Sequence, residues 1–89
     1  MEYIYILRSL IFKKAYVGHT TNLYTRLNRH NSGYSKYTKR YKPWEIIYTE
    51  ICENYIKARL REKYLKSASG RRWIKKYIFS RIGQSISIY

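Results

Sequence analysis

A chain of 89 residues with 19 Lys and Arg against five acids must offset a net charge of +14 before it can become compact. Self-repulsion on that scale calls for a good core, for salt, or for a polyanionic partner. The core is available, because 45% of the residues are hydrophobic, too many for a disordered basic tail. The length suits one domain, expected over residues 1–82, followed by a tail over 83–89. A domain this short buries only about 60% of the surface its unfolded chain exposes, so the core has to be tight. The tail alternates Ser and Ile and reads equally as an extra edge strand or a disordered end.

The longest apolar run, Tyr3 to Leu7, is far short of the roughly 20 residues that cross a bilayer. No basic region, long apolar stretch and small-residue cleavage site open the chain, so no signal peptide is expected. The single cysteine, Cys52, cannot form an internal disulfide, which fits a reducing cytoplasm. It reads as a small buried hydrophobe, since one Cys and two His are too few for structural zinc.

Nucleic acid is the expected partner, because phosphate contacts release counterions and give affinity without sequence readout. A membrane surface is the rival, but it would gather cations on one helix face opposite Trp, Phe and Leu. Here the cations spread over the whole chain after Leu7. Twelve tyrosines stand beside them, and a tyrosine can stack on bases, fill half-buried positions or donate a proton.

Tyr3 to Leu7 is β-prone without a breaker and reads as a strand. Ala15 to Thr20 reads as a second, close enough to pair with it as a hairpin. Thr21 or Asn22 can cap a helix that runs to about Asn31 and is stopped by Gly33, with Leu23 and Leu27 as its core stripe. Ser35 to Lys42 reads as a loop, and Pro43 opens a third strand, Trp44 to Ile51. A helix over about Asn54 to Ser67, a break at Ser69 and Gly70, and a last helix over about Arg71 to Arg81 complete the chain. The expected fold is α+β, a three-stranded mainly antiparallel sheet flanked by helices in the order β-β-α-β-α-α. Trp44 and Trp73 read as anchors of the core.

Three groupings can carry chemistry. Arg26 and His30, four residues apart, project from one helix face, rotated from the leucine stripe toward the rim of the sheet. They are either a solvated pair or an anion site in which the guanidinium grips a phosphate. Glu62 shares a helical stripe with Tyr55, Ala58 and Leu65, so its carboxylate needs a partner. That partner is either a nearby cation or a divalent metal held by one carboxylate plus water. Strand alternation puts Tyr3, Tyr5 and Leu7 on one sheet face, Ile4 and Ile6 on the other, and lets Tyr16 share a face with Gly18. Two facing phenols are either an aromatic pair or, with cations close by, a proton acceptor.

The ordered set Tyr3-Ile4-Tyr5, Tyr16-Val17-Gly18, Thr20, Leu23, Arg26, His30 and Glu62 resembles the GIY-YIG endonuclease superfamily. The match runs from Tyr3 to about Lys76 and is closest to the small single-domain members, related to the nuclease domain of the bacterial excision-repair incision subunit. The resemblance implies a DNA endonuclease that needs Mg²⁺ or Mn²⁺, with a part in DNA repair or processing. By the same resemblance Tyr5 and Tyr16 are the motif tyrosines, one of which activates or orients water. Arg26 would hold the scissile phosphate, His30 would stand next to it, and Glu62 would bind the metal. His19 follows the motif glycine, where some relatives carry Lys or His, and reads as a DNA contact. Gly18 would let the backbone approach DNA or the first helix closely.

Tyr3 stands where the first motif glycine would be. No targeting domain is attached, which implies weak intrinsic specificity and a partner protein that supplies it. Lys36, Lys39, Arg40 and Lys42, interleaved with Tyr37 and Tyr41, form a basic aromatic segment suited to a DNA backbone. Arg71 and Arg72, with Lys75 and Lys76, either extend that groove or are a solvated face. The alternative to an enzyme is a nucleic-acid-binding module of the same fold without turnover, or a basic RNA-associated structural protein.

Overall fold

The computed structural model describes residues 1–81 and 86–88. Strand β1 (Glu2–Ser9) pairs on one side with β2 (Lys14–Thr20) and on the other with β3 (Trp44–Cys52), both antiparallel. The sheet is four-stranded and mixed, in the order β3-β1-β2-β4, rather than three-stranded and antiparallel. The fourth strand is β4 (Ser87–Ile88), which pairs in parallel with Lys14 and Ala15. The C-terminal tail therefore contributes an edge strand, and Ile86 before it is buried in the core. The expected boundary between residues 82 and 83 lies outside the described residues.

Helix α1 (Leu23–Asn31) starts where Asn22 accepts the Thr25 N–H at 3.0 Å. Helix α2 (Tyr55–Lys66) is capped in the same way by Asn54. Helix α3 (Ala68–Tyr77) begins earlier than the break at Ser69 and Gly70 suggests, because Ser67 ends α2 and caps α3 at once. Gly70 lies inside α3, where a Cβ would meet the Tyr64 carbonyl oxygen at 2.0 Å. The last helix stops at Tyr77 and gives way to a 3₁₀ turn, Phe79–Arg81. The segment expected as a plain loop also contains a 3₁₀ turn, Thr38–Tyr41.

Alternation along β1 separates two cores. Ile4 and Ile6 pack with Ala15, Val17, Leu65, Ile74, Ile78 and Phe79 under α2 and α3. On the opposite face, Tyr5, Leu7 and Trp44 pack with Tyr16, Leu23 and Leu27 of α1. A bulge keeps β3 useful to both. Leu7 pairs with Ile46, but its neighbour Ile6 pairs with Tyr48, so Ile47 is the extra residue. The parity shift sends Trp44 to the tyrosine face and Tyr48 to the face of α2 and α3. Cys52 is half-buried at the end of β3 rather than fully enclosed.

Candidate active site

Tyr5 and Tyr16 meet on the α1 face of the sheet, with ring centroids 6.4 Å apart. Gly18 makes this arrangement. It pairs directly with Tyr5, and a Cβ there would lie 2.5 Å from the phenol oxygen. The space that the missing side chain leaves is therefore filled by the Tyr5 ring, not by an approaching backbone. The phenol thus lies across β2 toward the edge of the sheet, beyond the Lys14–Ala15 segment that β4 covers.

His30 closes the cluster. It is the buried residue of α1, 4% exposed, whereas Leu23 and Leu27 are half-buried. The rim position expected for His30 is corrected: two hydrogen bonds satisfy its ring within the core. Its Nε2 is 3.0 Å from the Tyr5 hydroxyl, and its Nδ1 is 2.7 Å from the Thr38 hydroxyl. The ring centroid lies 5.2 Å from that of Tyr16.

Two charge effects define the cluster. Burial lowers the His30 pKa from 6.5 to about 4, and the nearby Arg26 guanidinium adds to the drop. Burial pushes the Tyr5 phenol well above its ordinary value. Tyr16 and Glu62 add to that rise, while the Arg26 charge opposes it. Tyr5 thus feels Tyr16, Arg26 and Glu62 together, and keeps its proton near neutral pH.

The depressed His30 pKa has a measurable consequence for stability. The unfolded chain takes up this proton near pH 6.5, the folded protein only near pH 4. The stability is fully present above pH 6.5 and falls as pH drops toward 4. The whole loss is on the order of 3 kcal/mol. Denaturant melts across this range are expected to show it, and His30→Gln is expected to remove most of the slope. An unchanged slope in the variant would contradict a buried neutral imidazole.

Glu62 stands on the other side of the β2 edge, on α2, one turn before Lys66 and one turn after the buried Ala58. Its Oε2 accepts from Lys66 Nζ at 2.5 Å, and its Oε1 lies 3.4 Å from His19 Nε2. His19 Nδ1 is in turn 3.2 Å from Glu2, and its ring meets Tyr55 edge-on. Lys66 ties the two sides together, because its ammonium also lies 5.3 Å from the centroid of the Tyr16 ring. The pairing of Glu62 with a cation, one of the two alternatives for it, is present. Glu2, Lys66 and Thr38 are site neighbours that sequence reasoning missed. Lys66 was within reach, since a carboxylate and a lysine four residues apart on a helix pair by geometry.

The donor set decides which metal could sit here. Among the described residues no group of three or more His, Cys, Asp or Glu converges. One half-buried carboxylate offers oxygen to a hard divalent cation carried mostly by water, and that ion would have to displace Lys66. The set does not suit a closed zinc site.

The remaining expected contacts lie around this cluster. Lys36, Lys39, Arg40 and Lys42 are exposed on and beside the 3₁₀ turn Thr38–Tyr41. Tyr37 links that segment to the site, its ring 6.2 Å from Tyr16. Arg71 and Arg72 are exposed on α3, and Arg71 donates to the Lys66 carbonyl at 3.1 Å. Arg72 bonds Ser69 on its own helix and makes no contact with the cluster. An open groove of about 670 Å³ runs from Glu62 and Lys66 along α2, with Ile56 and Leu60 exposed on it beside Arg59 and Lys63. All five acids of the chain are already in ion pairs, so these cations find no carboxylate among the described residues.

Comparison with known proteins agrees with this arrangement. Residues 1–77 match the family described as GIY-YIG catalytic domain. A UPF0213 protein of Clostridium perfringens is 40% identical over 67 residues, covering 74% of this chain and 71% of that protein. One from Staphylococcus haemolyticus is 34% identical and covers 83% and 90%. One from Natronomonas pharaonis is 37% identical and covers 76% and 80%. No solved structure matches. With its paired tyrosines, Arg26, His30 and Glu62 gathered at one sheet edge, and with the match running across nearly all of its length, the chain belongs to the GIY-YIG family of nucleases.

Proposed function

We propose that this protein is a divalent-metal-dependent endonuclease that hydrolyses a phosphodiester bond of DNA at the outer edge of β2. One observation carries the reading: Tyr5 shares its electrostatic surroundings with Tyr16, Arg26 and Glu62 and its hydroxyl with His30. Arg26 grips the scissile phosphate and balances the charge that builds on it. Tyr5 keeps its proton and orients the attacking water, and Tyr16 flanks it from the neighbouring strand. Glu62 holds Mg²⁺ or Mn²⁺, which when bound supplies positive charge opposite the leaving oxygen. His30, neutral near pH 7, sets the direction of the Tyr5 hydroxyl.

The charge surplus supports a polyanionic substrate. Lys36, Lys39, Arg40 and Lys42 on one side, with His19, Arg71 and Arg72 on the other, supply backbone contacts that carry no sequence information. The groove along α2 offers a strand both cations and an apolar rail. Weak sequence preference follows, and repair or processing of DNA in the cytoplasm, guided by a partner protein, is the setting we assign. The Lys66–Glu62 ion pair favours a second reading, a clamp that binds nucleic acid and never cuts it.

The test is incubation of the protein with duplex, nicked, branched and single-stranded DNA, and with RNA, in Mg²⁺, Mn²⁺ or EDTA. Cation-dependent cleavage of at least one DNA form is expected. Binding to all of them with cleavage of none would favour the clamp, and preference for RNA would overturn the substrate assignment.

A further inference from the structure

The buried end of the tyrosine cluster holds a hydroxyl that has no part in gripping phosphate. Thr38 is fully buried, and its side chain has one polar partner among the described residues, His30 Nδ1 at 2.7 Å. Its backbone is anchored as well, because the Trp44 indole N–H donates to the Thr38 carbonyl at 2.8 Å. Two proton arrangements satisfy the short contact. If Nδ1 carries the imidazole proton, Thr38 accepts it, and the hydroxyl proton is left without an acceptor in a place closed to water, which is costly. If Thr38 donates to Nδ1, every proton is placed. The imidazole proton then sits on Nε2 and is donated to the Tyr5 phenol oxygen at 3.0 Å.

We infer that Thr38 is a positioning residue that fixes His30 in its Nε2–H tautomer and thereby turns the Tyr5 phenol proton outward, toward the cleft. The Tyr5 oxygen accepts on its buried side, so its own proton faces whatever oxygen occupies the site. A water or phosphate oxygen there meets a donor. The guanidinium of Arg26 and the enclosing core keep the ring neutral, so one tautomer is a meaningful choice near neutral pH. The tautomer stands on the hydrogen bonds alone, while the use made of the Tyr5 proton rests on the nuclease reading.

The experiment is two-bond ¹H–¹⁵N spectroscopy of the histidines in the whole protein near neutral pH, for the wild type, Thr38→Val and Thr38→Ser. His30 is expected to be protonated on Nε2 in the wild type, to show both tautomers in Thr38→Val, and to return to Nε2 in Thr38→Ser. Cleavage is expected to fall roughly tenfold or more in Thr38→Val and to recover in Thr38→Ser. A wild-type His30 protonated on Nδ1 overturns the inference, and so does an unchanged tautomer in Thr38→Val. If Thr38→Val does not fold, the wild-type and Thr38→Ser spectra still decide. A wild type with the Nε2–H tautomer that cuts nothing supports the Thr38 inference and rejects the nuclease reading instead.

Discussion

Replacing Glu62 with Gln, or Arg26 with Ala, is expected to lower phosphodiester cleavage by at least about 10²- to 10³-fold. Neither change should unfold the protein. Glu62 is half-buried, and its bond with Lys66 is an i, i+4 pair near solvent, worth no more than about 0.5 kcal/mol. Gln keeps the size and an oxygen for Lys66 to bond, but loses the charge that a divalent cation needs. Binding of DNA in EDTA is therefore expected to be unchanged or slightly tighter in Glu62→Gln, since one negative charge has gone. Arg26→Ala differs in kind. It removes a positive charge beside both Tyr5 and His30, so affinity and rate both fall, the rate more. Kinetics under single turnover, with binding measured separately, distinguish the two. Wild-type rates in both variants would remove Glu62 and Arg26 from the chemistry.

Gly70→Ala is expected to be the most damaging single substitution for stability, by at least about 3 kcal/mol. The reason lies in how tightly α3 leaves α2. A Cβ at Gly70 would stand 2.0 Å from the Tyr64 carbonyl oxygen and 2.4 Å from the Leu65 Cα. Both are backbone, so neither can swing away as a side chain would. Relief requires the two helices to part, and Leu65 and Ile74 both belong to the core they would open. Thermal or denaturant melts of the variant measure the loss. A variant as stable as the wild type would mean that the junction is looser than its backbone contacts imply.

Much of this architecture was legible from local pattern. Alternation in Tyr3 to Leu7 and in Tyr16 to Gly18 placed both motif tyrosines on one face, where they are. Asn22, Asn54 and Pro43 marked element starts because capping and the lack of a ladder donor act over three or four residues. The α2 stripe correctly set Glu62 between Ala58 and Leu65, both buried.

What escaped was tertiary. The extra residue at Ile47 reverses which residues of β3 face α1, and no residue there announces a bulge. Gly70 suggested a break because glycine weakens helices, yet its role is to let two backbones touch. Thr38 looked like a polar residue in a basic segment, and only the packing of Trp44 and His30 against it shows that its hydroxyl is enclosed. His30 was expected at a rim because its helix has leucines to bury, but its ring finds partners for both nitrogens, which makes burial affordable. The tail could join the sheet or not on sequence grounds, and its pairing with Lys14 and Ala15 depends on an edge that the distant strands create.

The convergence of phenols, guanidinium, imidazole and carboxylate around one cation is most directly measured by adding Mn²⁺ in small amounts and following line broadening of the aromatic signals. The rings of His19, Tyr16 and His30 are expected to broaden first in the wild type and to stay sharp in Glu62→Gln. Broadening that spares these rings, or that appears unchanged in Glu62→Gln, would contradict a single site shared by Glu62 and the two tyrosines.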